Sequence, residues 1–243
     1  MKRIDGRARD ELRSISIQRG FIDYAQGSTL ISFGNTKVLC VAMVEEGVPA
    51  FLRGTGKGWL TAEYSMLPYS TPNRSPRELE HKKGRSYEIQ RLIGRALRAV
   101  LNLDKIPEQT IWLDCDVLQA DGGTRCAAIT GSFICLVEVD QWLQRKKIVE
   151  GSIIRDLLAA VSVGVVEGES LLDLSFQEDS RASVDMNVVM TGRKRFVEIQ
   201  VSGEGYSFSR ELLGELLNLA QKGIEQIIEK EKQVLGDGVW NWY

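Results

Sequence analysis

From Thr124 to Arg145 the chain places Ala127, Ile129, Phe133, Ile134, Leu136, Val137 and Val139 nearly all the way round a helix. A helix apolar on every side cannot lie on a surface, so this one must be buried between layers of other elements. The segments before and after it supply those layers. Leu30-Ile31-Ser32-Phe33 and Val38-Leu39-Cys40-Val41-Ala42 flank Gly34-Asn35-Thr36-Lys37, which reads as a hairpin. Residues 110–118, TIWLDCDVL, alternate as a strand does.

Residues 46–58 and 68–85 read as two loops, rich in Gly and in Pro with charges respectively. After Ser86, a candidate N-cap, Ile89, Leu92, Ile93, Ala96, Leu97, Val100 and Leu101 recur at three and four, which predicts a helix. In the second half, Leu157 to Val166 and Leu171 to Leu174 predict a hairpin, and Val184 to Met190 and Phe196 to Val201 two more strands. Ser209 can cap a last helix running to about Lys232. Mixed strands and helices place the chain in the α+β class, read as a single domain over residues 1–243. The aromatic tail Val239-Trp240-Asn241-Trp242-Tyr243 suggests docking on the chain's own body or on another subunit.

Composition excludes several chemistries. One histidine, His81, lies in a charged stretch and reads as a surface residue, which leaves neither a zinc site nor a histidine-based triad. Four cysteines, Cys40, Cys115, Cys126 and Cys135, sit among apolar neighbours without a CxxC pair and read as reduced, buried thiols of a cytoplasmic protein. No run of eighteen apolar residues predicts a membrane span, and no apolar stretch follows the basic residues of MKRIDGRARDELR as a secretory signal would require. Catalysis here must run on carboxylates, arginines, backbone amides or a metal. A net charge of −2 argues against indiscriminate coating of nucleic acid. Between Arg74 and Arg98, however, cations outnumber Glu78, Glu80 and Glu88, and Tyr69 and Tyr87 lie alongside for stacking on unpaired bases. A solvated charged face would leave the same composition.

Three places can carry chemistry. Asp121-Gly122-Gly123-Thr124-Arg125 sits between a strand and the buried helix. Glycines admit close backbone approach, the first amides of a helix point outward, and the arginine fork suits phosphate oxygens. A plain glycine turn with a surface arginine has the same residues. Gly84-Arg85-Ser86 also opens a helix, and if the two helix starts meet, Arg85 and Arg125 converge on one dianion. Asp185 stands inside a β-patterned run, where a carboxylate is unusual, and with Asp179 it can hold Mg²⁺ or act as a general acid. A turn aspartate and an edge-strand aspartate would account for the same pattern. Arg53-Gly54-Thr55-Gly56-Lys57-Gly58 fails as a nucleotide loop, because it lacks the Walker spacing and precedes an extended segment.

Taken together, several long and irregular segments resemble the ribonuclease PH family across nearly the whole chain. They are RIDGRARDELR at 3–13, SFGNTKVLC at 32–40, VEEGVPAFLRGTGKGWLTAEYSMLP at 44–68, GRSYEIQRLIGRALRA at 84–99, LDCDVLQADGGTRCAAITG at 113–131 and QEDSRASVDMNVVMTG at 177–192. The resemblance implies the ribosomal protein S5 domain 2-like fold in a homohexameric ring, a trimer of dimers. It implies a phosphorolytic 3′-to-5′ exoribonuclease, or tRNA nucleotidyltransferase, that trims 3′ ends of tRNA precursors, rRNA and other single-stranded RNA. Inorganic phosphate is then the co-substrate and nucleoside diphosphates the products.

Carried over residue by residue, phosphate falls to Arg85, Gly123, Thr124 and Arg125, and catalysis with Mg²⁺ to Asp179 and Asp185. RNA contact falls to Arg74, Arg77 and, where the family usually has arginine, Tyr69. Gly192-Arg193-Lys194-Arg195 adds cations to a glycine-rich element, and Ser202-Gly203-Glu204-Gly205 replaces the common TAEG. Two competing readings are a non-catalytic RNA-binding ring subunit and a hydrolase using water.

Overall fold

Gly34 takes a left-handed backbone (φ +56°), which a side chain resists, and with Asn35 it reverses the chain in a two-residue turn. This joins β2 (Gly27–Phe33) to β3 (Thr36–Glu46), paired from Phe33 with Thr36 to Gly27 with Ala42. The computed structural model describes residues 3–77, 84–205 and 207–236. His81 and the aromatic tail lie outside the described residues.

β1 (Ile15–Arg19), β4 (Trp59–Met66) and β5 (Gln109–Gln119) complete a five-stranded sheet in the order β1-β2-β3-β5-β4. β4 alone runs parallel to its neighbour, β5, because helix α1 (Gly84–Arg98) lies between the two in the chain. A second, antiparallel sheet in the order β7-β6-β8-β9 comes from β6 (Leu158–Val166), β7 (Glu169–Leu172), β8 (Val184–Thr191) and β9 (Phe196–Gly203).

Helix α2 (Thr124–Arg145) packs on β2 and β3 of the first sheet and on β6 of the second. The all-round apolar pattern has this cause. α2 is also the one helix among the described residues that is long and apolar enough to cross a membrane, and 83% of its most apolar window is buried. β6 is buried at every position, hence on both faces, and both α2 and α4 (Arg210–Leu235) touch it. A main core runs through both sheets and helices α1, α2 and α4, and a small separate cluster holds Val166, Leu171, Leu174 and Ala182. All four cysteines are buried and unpaired.

Some elements differ from their sequence expectation. β1 and the one-turn helix α3 (Phe176–Asp179) are too short to show a period. α1 starts at Gly84, so Ser86 is a buried residue of its first turn and not a cap. It ends at Arg98, where Val100 N–H bonds to the Leu97 carbonyl (3.1 Å) and tightens the last turn. Ser209 does cap α4, its hydroxyl accepting from Leu212 N–H at 3.2 Å.

α2 lies very close to the first sheet. A Cβ at Gly27 would stand 2.3 Å from the Cys135 carbonyl oxygen, and one at Gly131 2.8 Å from both Cys40 Sγ and Ile31 Cγ2. Gly27→Ala should therefore destabilise the fold despite the roughly 0.5–1 kcal/mol gained from a stiffer chain. Overpacking against backbone costs about 1–3 kcal/mol. Urea unfolding should show a lower midpoint with an unchanged slope. A raised midpoint would mean that α2 can move off the sheet at little cost.

Candidate active site

The turn ahead of α2 is tied down from three directions. Thr36 Oγ1 donates to the Gly122 carbonyl (2.7 Å) and accepts from Asp121 N–H (2.9 Å). Arg13 donates to the Asp121 and Gly122 carbonyls, at 2.5 and 3.3 Å. The Asp121 carboxylate accepts from Phe176 N–H at 3.2 Å. Gly122 (φ +77°) has no room for a side chain, since a Cβ would meet the Leu174 carbonyl oxygen at 2.4 Å. The ladder of α2 opens with Ala127 N–H bonding to the Gly123 carbonyl (3.0 Å), so the amides of residues 124–126 lie ahead of it. They form the electropositive end of the helix dipole.

Both helix starts open onto one cavity of about 400 Å³. Arg85 from α1 and Gly123, Thr124 and Arg125 from the turn and α2 line it. Asp179, at the end of α3, and Asp185, on β8, line it as well. The six residues expected to hold phosphate and to act as the acidic pair therefore share one space. β8 is an interior strand, between β6 and β9, so the edge-strand account of Asp185 is corrected. Asp179 is the last residue of the one-turn helix α3, beside Glu178, whose carboxylate accepts two bonds from Arg3 at 2.8 Å each. Arg3 and Glu178 are buried.

Charge is unevenly compensated in the cavity. Burial, then the neighbouring Asp179 charge, pushes Asp185 up to about 6, against the pull of Arg125. Burial also raises Asp179, opposed by Arg85, Arg125 and Arg13. Neither carboxylate forms an ion pair among the described residues. Arg125 lies 3.9 Å from Glu88, and its Nε is buried with no hydrogen-bond partner. An unsatisfied donor of this kind is costly unless a ligand meets it. No cluster of three or more His, Cys, Asp or Glu able to cage a metal exists among the described residues. Three carboxylates line the cavity, Glu88, Asp179 and Asp185, and of these Glu88 is the one beside Arg125.

The three residues expected to touch RNA lie elsewhere. Tyr69 is 65% exposed and borders a second, larger cavity of about 750 Å³ together with Phe176. The Asp121–Gly123 turn borders both cavities. Arg74 and Arg77 are exposed and line neither. Lys82 and Lys83, of the same basic stretch, are outside the described residues.

Sequence reasoning missed several neighbours. Ser162 and Asn187 line the cavity, and Asn187 could have been found two residues after Asp185 on the same strand face. Tyr64, on β4, hydrogen-bonds to Thr124 at 2.9 Å. Arg13 and Asp173, which clamp the turn, are 160 residues apart and carry no local signal.

Residues 11–140 match the model of the 3′ exoribonuclease family, domain 1, and residues 156–223 that of its domain 2. The chain belongs to the 3′ exoribonuclease family. Within this family it is 57% identical over 238 residues to ribonuclease PH of Bacillus pumilus, across 97% of this chain and 98% of that protein. To ribonuclease PH of Bacillus subtilis it is 56% identical over 240 residues, 98% of each. A chain of the Archaeoglobus fulgidus exosome with RNA bound to the active site superposes with a TM-score of 0.80 at 25% identity, covering 95% of this chain and 93% of that one. The exoribonuclease fold accounts for both sheets and for the helices packed on them.

Holding Asp185 at about 6 has a cost for folding. A carboxyl with a folded-state value above its unfolded 3.8 binds its proton more tightly when folded. Stability from this group is full below about pH 4 and lost as pH rises through about 6. Asp185→Asn, in metal-free buffer, should raise unfolding stability by about 1–3 kcal/mol near pH 8, and by almost nothing near pH 4. Equal gains at both pH values would show that ionisation of Asp185 is not strained by its surroundings.

Proposed function

We infer that this chain is a phosphate-dependent 3′-to-5′ exoribonuclease that trims the 3′ ends of tRNA precursors, and of rRNA, releasing nucleoside diphosphates. The observation that carries the reading is the single cavity in which two arginines, two helix starts and the Asp179–Asp185 pair meet. Inorganic phosphate fits the wall made by Arg85, Arg125 and the amides of the Gly123–Thr124 turn, where the free Nε of Arg125 finds an acceptor. The arginine fork and the helix start hold the phosphate in line with the last phosphodiester, and one of its oxygens attacks the phosphorus. The ribose 3′-oxygen of the penultimate nucleotide leaves. One carboxyl of the Asp179–Asp185 pair supplies the proton that this oxygen takes up. No covalent nucleophile is required, which suits a chain with one histidine.

Asp179 and Asp185 are the residues that would hold Mg²⁺, a hard cation that keeps several waters and needs no protein cage. Bound there, the ion would offset negative charge on the reacting phosphates. Because one phosphate linkage replaces another, the reaction runs backward when diphosphates are abundant. Arg74, Arg77 and Tyr69 would grip the RNA upstream of the cavity, the arginines on the backbone and the ring on a base. The working form is a cytoplasmic homohexamer, a trimer of dimers, and size-exclusion chromatography reads that directly.

Both arginines and both carboxylates line the cavity, which disfavours a subunit that only binds RNA. Arg125→Ala should lower phosphorolysis on the order of 10²-fold or more while RNA binding persists. The assay incubates 3′-extended tRNA with and without phosphate and identifies the products. Diphosphates that appear only with phosphate are expected. Monophosphates without phosphate would make the chain a hydrolase, and an undiminished Arg125→Ala variant would remove the assigned phosphate wall.

A further inference from the structure

The phenol of Tyr64 is 2% exposed and lies 2.9 Å from Thr124 Oγ1, the hydroxyl that opens α2 and lines the cavity. Tyr64 does not itself line that cavity. It stands on β4, whose register against β5 sets it opposite Cys115 in the core. A polar group at such a place must serve a neighbour, since Phe would fill the same volume with no oxygen to satisfy.

We propose that Tyr64 is a positioning residue for the phosphate site, orienting the Thr124 hydroxyl so that its hydrogen points at the bound anion. A phenol is a better donor and a poorer acceptor than an aliphatic alcohol, so the bond runs from Tyr64 O–H to Thr124 Oγ1. That occupies one lone pair of the threonine and frees its own hydrogen for a phosphate oxygen. Two hydroxyls in series polarise each other, so the outer one becomes a stronger donor than a lone threonine. Burial raises the Tyr64 pKa, so the phenol keeps its proton wherever the enzyme works.

The heavy atoms of Thr124 are held in place, and only its hydroxyl hydrogen is left to turn. Thr124 follows Gly123, which is held in a left-handed conformation (φ +66°), and its side chain is buried. Without Tyr64 the hydroxyl can rotate about its C–O bond and present a lone pair to the anion instead. Tyr64 thus acts on phosphate through Thr124, from β4 to the start of α2.

This inference rests on the phosphate site proposed above. Its test compares Tyr64→Phe, Thr124→Ala and the double variant in phosphorolysis of 3′-extended tRNA, with phosphate and RNA varied separately. Tyr64→Phe should raise the KM for phosphate roughly 3- to 10-fold, the loss of one neutral hydrogen bond, while kcat and the KM for RNA hold. In the double variant the phosphate KM should equal that of Thr124→Ala alone, because the tyrosine has nothing left to act on. Thr124→Ser, which keeps the hydroxyl, should restore the sensitivity to Tyr64→Phe. Urea unfolding of the same proteins registers any purely structural loss. An unchanged phosphate KM in Tyr64→Phe, or effects that multiply in the double variant, would overturn the role of Tyr64. A Thr124→Ala variant with an untouched phosphate KM would take Thr124 out of the phosphate site and overturn this inference, whereas an undiminished Arg125→Ala variant would remove the site itself.

Discussion

Three distant stretches of chain meet at the guanidinium of Arg13, which binds the Asp173 carboxylate through Nε (3.0 Å) and Nη2 (2.6 Å) and also reaches the Asp121 and Gly122 carbonyls. Asp173 takes a left-handed backbone (φ +55°) that Asp tolerates, and its own N–H bonds to the Ser162 carbonyl at 2.7 Å. Ten residues earlier, Arg3 pairs with Glu178 in the same buried layer. Such pairs add little net stability over apolar residues of equal shape, yet breaking one costs roughly 3–5 kcal/mol. Their effect is geometric. The N-terminal segment fastens the glycine turn, and with it the start of α2, to the segment that carries Asp179.

The same environment sets two acids in opposite directions. Burial raises Glu178, but the bonds and charge of Arg3 outweigh it and bring it down to about 2. Asp185 is also largely buried, has no guanidinium bonded to it, and faces the Asp179 charge, so it rises to about 6. Arg85 and Arg125 moderate that rise without cancelling it. Asp173 and Glu178, the buried carboxylates next to the site, are paired to Arg13 and Arg3 of the N-terminal segment. In the cavity, Asp179 and Asp185 have no ion pair among the described residues, which is the condition for binding a cation or a proton in turn.

The fold was largely legible because long elements write their environment into a period. α2 declared its burial through an apolar surface on every side, and the turn at Gly34-Asn35 and the cap at Ser209 marked their elements directly. α3 left a fainter trace, though Ser175 and Glu178 have the spacing of a capping box, and Ser175 N–H does bond to Glu178 at 2.9 Å. β1 has only five residues, three half-buried and two exposed, too short a run for its alternation to stand out in the sequence. Within the site, residue types at helix starts pointed to Arg85 and Arg125, and a carboxylate out of place pointed to Asp185. Arg13, Asp173 and Tyr64 act through contacts between distant segments, and a linear pattern holds no record of such contacts.

Those contacts also explain why a helix apolar on all sides is compatible with so polar a site. The arginine-bearing wall comes from α1, the glycine turn and α2, all attached to the first sheet. The acidic wall comes from α3 and β8, on the side of the second sheet. A cavity between two layers keeps its dimensions only if whatever separates the layers is incompressible. α2 is that separator, packed against β2 and β3 on one side and β6 on the other, with Gly27 and Gly131 removing the last clearance. Its buried length fixes the spacing of the two walls, and its first turn supplies part of one of them. Attraction between arginines and carboxylates would otherwise draw the walls together and close the cavity with an ion pair. The dry core beneath the site holds these opposite charges apart, and leaves them to be joined by substrate.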